Sequence, residues 1–255
     1  MCLIEFIFLL NMIPKIIHYC WFGRNPLPEL AVMCIESWKK YFPDYEIKEW
    51  NEDNFDVNII PYTAEAYQAK KFAFVSDYAR FWILYHYGGL YFDTDVEVIR
   101  PMDNIVNQGS FMGCEQDASI KEGSIPSVAP GLGLGCENKH PLYAEILDEY
   151  ANLHFVDNSG NLNLKTVVEY VTEVLCMHGL RSISGIQCVD GIFIYPKEYF
   201  CPIDFETKER IDTINTYTVH HYAASWHGRK EKIQRFLLRT IGKNNIKKLM
   251  SLWKK

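Results

Sequence analysis

One stretch, SDYARFWILYHYGGLYFDTDVEVI over residues 76–99, constrains the fold more than any other. A run with helical spacing from 62 to 87 reaches Gly88-Gly89, the kind of stop a helix needs before a sharp turn. The LYFDTDVEVI that follows is apolar with embedded carboxylates, and it predicts a central strand whose C-terminal end carries Asp93 and Asp95. In open α/β sheets, ligands bind beyond the carboxyl ends of strands. Carboxylates at i and i+2 on a strand face opposite ways, so these two converge on one divalent ion only if the chain turns at Thr94. Hard oxygen ligands of this type suit Mg²⁺ or Mn²⁺.

The remaining elements fit an α/β sheet. IPKIIHYCWFG (13–23) predicts a buried first strand entering a loop, and ELAVMCIESWKKYF (29–42) sets Leu30, Met33, Cys34 and Trp38 at helical spacing before Pro43 stops it. YEIKEW (45–50) alternates as a half-buried strand. Strand, helix, strand is the opening of a Rossmann-like domain with a nucleotide-sized crevice. Residues 107–140, rich in Gly, Ser and Pro, predict loops with one or two edge strands over the site. Helices are expected from Pro141 to about Leu153 and from Leu164 to Met177, then a strand through GIQCVDGIFIYP (185–196). In TYTVHHYAASWHG (216–228), read as a strand, one of His220 and His221 faces the site.

Charge is divided unevenly. Residues 229–255 hold ten Lys/Arg against one Glu, a local +9 that leaves −15 for the rest of a chain with formal net charge −6. An acidic body lacks the cationic footprint that nucleic acid requires, so nucleic acid is not an expected partner. The tail places Ile233, Phe236, Leu237 and Ile241 on one helical face and Ile246, Leu249, Met250 and Trp253 on another. That pattern suits either an anionic membrane surface or a helix pair docked on the body. Eight cysteines have no metal-ligand or redox spacing and read as reduced thiols of a cytoplasmic protein. MCLIEFIFLL is too short to span a bilayer and has no basic leader, so residues 1–11 are expected to be either a mis-assigned start, with Met12 the true one, or a disordered leader. The expected organisation is a leader at 1–11, one α/β domain at 12–228 and a basic amphipathic tail at 229–255.

Asp77 and Arg80, at i and i+3, share a helix face. On a surface such a pair contributes about 0.3–0.5 kcal/mol. Here it stands between Phe74-Val75 and Phe81-Trp82, where a charge pair is expected to face a polar cavity. IPKIIHYCWFG, SDYARFWILYHYGGLYFDTDVEV and VHHYAASW together resemble glycosyltransferase family 32, the DXD-containing sugar transferases of surface-polysaccharide synthesis. Their order is also similar to that of the glucosylating clostridial toxins. The resemblance implies a GT-A-type fold with a central mixed sheet. It further implies a nucleotide-sugar donor, of UDP type, and transfer of a hexose with retention to a saccharide or lipid-linked saccharide. It places Asp93, Asp95 and His220 at a Mn²⁺ or Mg²⁺ ion, with His220 alternatively on the diphosphate. Asp77, Arg80 and Asp93 would contact the donor, Trp21 would stack on its base, Ser225 would ligate the ion or the β-phosphate, and Trp226 would close over the donor. Trp21 read alone could equally be a core indole.

Two other readings are open to the sequence. A haloacid-dehalogenase-type phosphohydrolase also places an aspartate pair after an apolar strand, but Val96 follows Asp95 at once and no late acidic pair is evident. A non-catalytic carbohydrate-binding protein on the same fold would not need both charged pairs, 77/80 and 93/95.

Overall fold

The structure, a computed structural model, describes residues 12–119, 123–204, 207 and 209–223. The chain begins with β1 (Ile16–Cys20), α1 (Glu29–Tyr41) and β2 (Glu46–Trp50), as the periodicities predict. Next come α2 (Pro61–Gln68), α3 (Phe72–Tyr87), β3 (Gly89–Tyr91), β4 (Val96–Val98) and α4 (Asp103–Val106). The second half holds β5 (Phe111–Gln116), β6 (Ser127–Val128), β7 (Leu134–Cys136), α5 (Pro141–Ala151), α6 (Val167–Met177), β8 (Gln187–Val189), β9 (Ile192–Tyr195), α7 (Lys197–Phe200) and β10 (Thr218–His220).

The main sheet runs β2-β1-β3-β7-β5-β9-β8, with β6 on β5, and β10 pairs separately with β4. β2, β1 and β3 are parallel, β7 is antiparallel to both its neighbours, and β5 and β9 are parallel, so the sheet is mixed, as the sequence resemblance implies. The order turns back at β1, whose next strand in sequence lies on one side and β3 on the other. That reversal opens a crevice at the carboxyl ends of β1 and β3. Helices cover both faces. Ile17 and Tyr19 pack with Trp38, Phe42 and Phe92, while Cys20 joins Tyr91, Phe81 and Tyr143 on the other side.

Four expectations need correction. The helical run 62–87 is two helices, because Lys70 turns left-handed (φ 57°) and the Lys71 N–H closes onto the Ala66 carbonyl 2.9 Å away. LYFDTDVEVI is two strands in different sheets. GIQCVDGIFIYP is a hairpin, because Asp190-Gly191, both at positive φ, make the turn that an Asp-Gly pair favours. Finally, β7 and β5 are interior strands, not edge strands over the site. Their glycines admit neighbouring rings: a Cβ on Gly135 would lie 2.4 Å from the Phe111 ring.

The conformation of the β1 loop and of the turn before β3 depends on a buried histidine. His18 Nδ1 accepts the Trp50 indole N–H at 3.1 Å, so Nε2 carries the proton and donates to the Gly88 carbonyl at 3.0 Å. Burial lowers its pKa to about 4, and the ring stays neutral. His178, at the end of α6, is the opposite case, clamped between Glu145 at 2.8 Å and Asp190. Its bond to Glu145 raises its pKa above 6.5. A group raised on folding stabilises fully below its unfolded pKa, and that contribution is lost as pH rises through the folded value. His178→Ala is therefore expected to lower Tm by about 1–3 °C at pH 6, with the difference closing toward pH 9. A difference independent of pH in paired melts would assign the loss to packing.

Candidate active site

The strand ends set the geometry. Trp21 follows β1 directly, and its amide donates to the Trp50 carbonyl at 2.8 Å. Its half-buried indole donates to the Asn25 carbonyl at 2.6 Å. The Glu52 carboxylate holds the loop by accepting the Gly23 N–H at 2.6 Å and the Tyr67 hydroxyl at 2.9 Å. Asp93 follows β3, one residue past Phe92, at the carboxyl end of the neighbouring strand. β3 ends at Tyr91 and the chain turns at Thr94–Asp95, where the Val96 N–H bonds to the Asp93 carbonyl at 3.0 Å. α1 anchors the far side of this turn. Trp38 Nε1 donates to the Val96 carbonyl at 2.8 Å, and the Val98 N–H donates to Ser37 Oγ at 2.9 Å.

Arg80 is 4 % exposed and bridges two carboxylates, with Nη2 2.9 Å from Asp77 and 3.3 Å from Asp93. Its Nε donates to the Ser76 carbonyl at 3.1 Å, and its guanidinium lies over the Tyr91 ring. The pair is thus buried, not a surface ion pair. Asp77 also accepts from the backbone N–H of Val167, the first residue of α6. Burial nevertheless raises it to about 7, against the pull of Arg80. Among the described residues the buried Tyr62 and Tyr150 hydroxyls have no hydrogen-bond partner, and both feel the Asp77 carboxylate.

The Tyr91 hydroxyl donates to Asp93 Oδ1 at 3.1 Å, and the Asp93 N–H bonds to the Gly131 carbonyl at 3.0 Å. Burial, opposed by Arg80 and reinforced by Asp95, holds Asp93 above the usual carboxylate range. Of the two histidines, His220 lies 3.2 Å from Asp95, and His221 pairs with Glu97 at 2.9 Å. Burial works to lower the His220 pKa, but the Asp95 carboxylate overrides it and raises it to about 10. Ser225 and Trp226, like the tail from 229 onward, lie outside the described residues.

Asp77, Arg80, Asp93, Asp95 and His220 therefore form one electrostatically linked cluster, with Trp21 at the adjacent strand end. Tyr91, Gly131 and Glu52 escaped the sequence reading. Tyr91 could have been found, because i and i+2 on a strand share a face. Gly131 and Glu52 reach the site only through tertiary packing.

The donor chemistry fits a divalent cation in one respect. Two half-buried carboxylates stand together in one turn, and Mg²⁺-type ions are commonly held by one or two carboxylates plus substrate phosphates. Among the described residues no three His, Cys, Asp or Glu side chains are grouped as a ready metal site. The remaining positions would fall to phosphate and water.

Residues 28–112, which span this crevice from α1 into β5, match the model of the glycosyltransferase sugar-binding region containing the DXD motif. Inositol phosphoceramide mannosyltransferase 1 of Schizosaccharomyces pombe is 29% identical over 114 residues, covering 40% of this chain and 34% of its own length. An uncharacterized glycosyltransferase of Acanthamoeba polyphaga mimivirus is 23% identical over 223 residues, covering 84% of each chain. The PaToxG glycosyltransferase structure aligns at TM-score 0.47 and 18% identity, over 65% of this chain and 69% of its own. The chain thus spans about a third of the length of the fungal relative. The matched region carries Asp77, Arg80, Asp93 and Asp95 together, so over residues 28–112 the chain is similar to the sugar-binding region of the DXD-containing glycosyltransferases.

Proposed function

We propose that this protein is a metal-dependent, retaining glycosyltransferase that moves a hexose from a nucleotide sugar to a saccharide or lipid-linked acceptor. The supporting observation is the pair of differently held carboxylates at the switch point: Asp93 on Arg80 and Tyr91, Asp95 on His220. A site for a departing diphosphate needs preorganised positive charge in a partly dry crevice. Arg80 and His220 supply it from the protein.

In this reading Asp93 and Asp95 hold Mn²⁺ or Mg²⁺, which supplies charge neutralisation at the diphosphate. Arg80 and Asp77 orient the donor sugar and its phosphates, and Trp21 offers its exposed indole face to the base. No described side chain needs to serve as nucleophile. The acceptor attacks the face the phosphate leaves, and the departing phosphate takes its proton, which retains configuration. The catalytic domain is taken as 12–228, and the basic tail would draw the enzyme to an anionic membrane face. The fungal relative's name, an inositol phosphoceramide mannosyltransferase, favours a lipid-linked acceptor and brings mannose beside the UDP-hexoses as a donor to test.

The test is nucleotide release from UDP- and GDP-hexoses with Mn²⁺, with and without EDTA, beside Asp95→Asn. Release from one donor is expected to fall by about 100-fold or more on chelation and in the variant. Release indifferent to both would overturn the reading.

A further inference from the structure

Glu115 borders the cluster described above through His220, but none of the roles assigned there falls to it. β5 carries a bulge at this residue: Cys114 pairs with Val128 and Gln116 with Ser127, so two steps on β5 oppose one on β6 and Glu115 is the extra residue. Bulges re-aim a side chain and are frequent beside active sites. The surrounding contacts place this one beside the site. Two residues earlier, Gly113 accepts the Ala129 N–H at 2.9 Å, and that loop continues to Gly131 on Asp93. On the other side α7 begins, and the Lys197 N–H donates to Asp117 at 2.8 Å.

The Glu115 carboxylate is half-buried, and it interacts electrostatically with His220, Lys197 and Tyr222. Among the described residues nothing donates a hydrogen bond to it. Its neighbours Cys114 and Asp117 line a cavity of about 80 Å³ with Ser184, Gln187 and Pro196. Glu115 therefore lies on β5 between residues that line this cavity and has His220 of the site as an electrostatic neighbour.

An ionised carboxylate only accepts hydrogen bonds, and a diphosphate has none to give, so the two repel. The partner that satisfies Glu115 beside a diphosphate is a neutral group with O–H donors. We propose that Glu115 binds a sugar hydroxyl in the active site and thereby helps select the sugar that reacts. The proposal rests on the transferase reading for the identity of the site. Two sugars could provide the hydroxyl, the donor hexose and the acceptor.

The experiment compares wild type with Glu115→Gln and Glu115→Ala in two binding arms. Calorimetry measures UDP and GDP against UDP-glucose, UDP-galactose, UDP-N-acetylglucosamine and GDP-mannose. Saturation-transfer NMR measures methyl hexosides without nucleotide. A hydrogen bond to a charged group corresponds to about a 10- to 100-fold change in affinity. The expected result is that loss of size in one arm only, with UDP and GDP affinity unchanged and Gln partly rescuing what Ala loses. Loss confined to sugar nucleotides identifies the donor hexose, and loss confined to methyl hexosides identifies the acceptor. Sugar binding unchanged in both arms would overturn the proposal, as would an equal loss with UDP or GDP alone. Wild type that binds saccharides through Glu115 but no nucleotide would refute the transferase reading while leaving Glu115 as a sugar ligand. Wild type that binds neither class would overturn both.

Discussion

Arg80→Ala is expected to destabilise the protein by about 3–5 kcal/mol and to abolish donor turnover, because it strips the counter-charge from two carboxylates at once. Arg80 spans Asp77 and Asp93 while its Nε is fixed on the Ser76 carbonyl, a fork that a lysine cannot reproduce. Arg80→Lys should therefore recover part of the stability and little of the activity. The pH dependence follows from Asp77, whose folded pKa of about 7 already lies above the usual carboxylate range because of burial. Losing Arg80 raises it further. A group raised on folding contributes stability below its unfolded pKa and loses that contribution as pH rises through the folded value. Near pH 5 the variant's Asp77 simply holds a proton, whereas at pH 8 it must be buried charged or titrated at a cost. Urea unfolding at both values should show the larger deficit at pH 8. Equal deficits would mean that Asp77 does not bear the burial penalty.

What could be read from the sequence divides along physical lines. β1, α1 and β2 were legible because each reports its burial through local periodicity, and the Asp93–Asp95 turn because carboxylates in an apolar strand demand an explanation. Asp77 and Arg80 were legible as a pair because helix geometry fixes i,i+3 neighbours. Long-range consequences were not. The Val167 N–H that meets Asp77 comes from a distant helix start, capped by Thr166 and Glu169 in a capping box that is itself visible in sequence. β5 and β7 were hidden because glycine usually signals a loop, whereas Gly135 is there to make room for Phe111 and Leu90. A bulge such as that at Glu115 depends on pairing with a partner strand, which the residues of one strand do not encode. Of the two adjacent histidines, only the β10–β4 register, pairing His220 with Val96, sets which one reaches Asp95.

Gly131→Ala tests the site with the least disturbance to the fold. Its backbone does not require positive φ, so alanine is conformationally acceptable. The added Cβ, however, would lie 2.0 Å from Asp93 Oδ2 and 2.8 Å from its Cγ. The atom it meets is the end of a partly exposed side chain, so the fold can yield by moving the carboxylate, at about 1–2 kcal/mol. That movement takes Asp93 away from Tyr91 and Arg80 and from any shared ligand with Asp95. A misplacement of about 1 Å can lower turnover about 100-fold, so the expected signature is a near-native melt with donor turnover down by that factor or more. A double-mutant cycle with Asp93→Ala makes the argument specific. If Gly131 matters only by leaving room for the Asp93 carboxylate, Gly131→Ala costs nothing further once that carboxylate is gone, and the two losses are strongly non-additive. Additive losses would show that Gly131 acts elsewhere, through the loop that leads from Gly113 and Glu115 toward the turn.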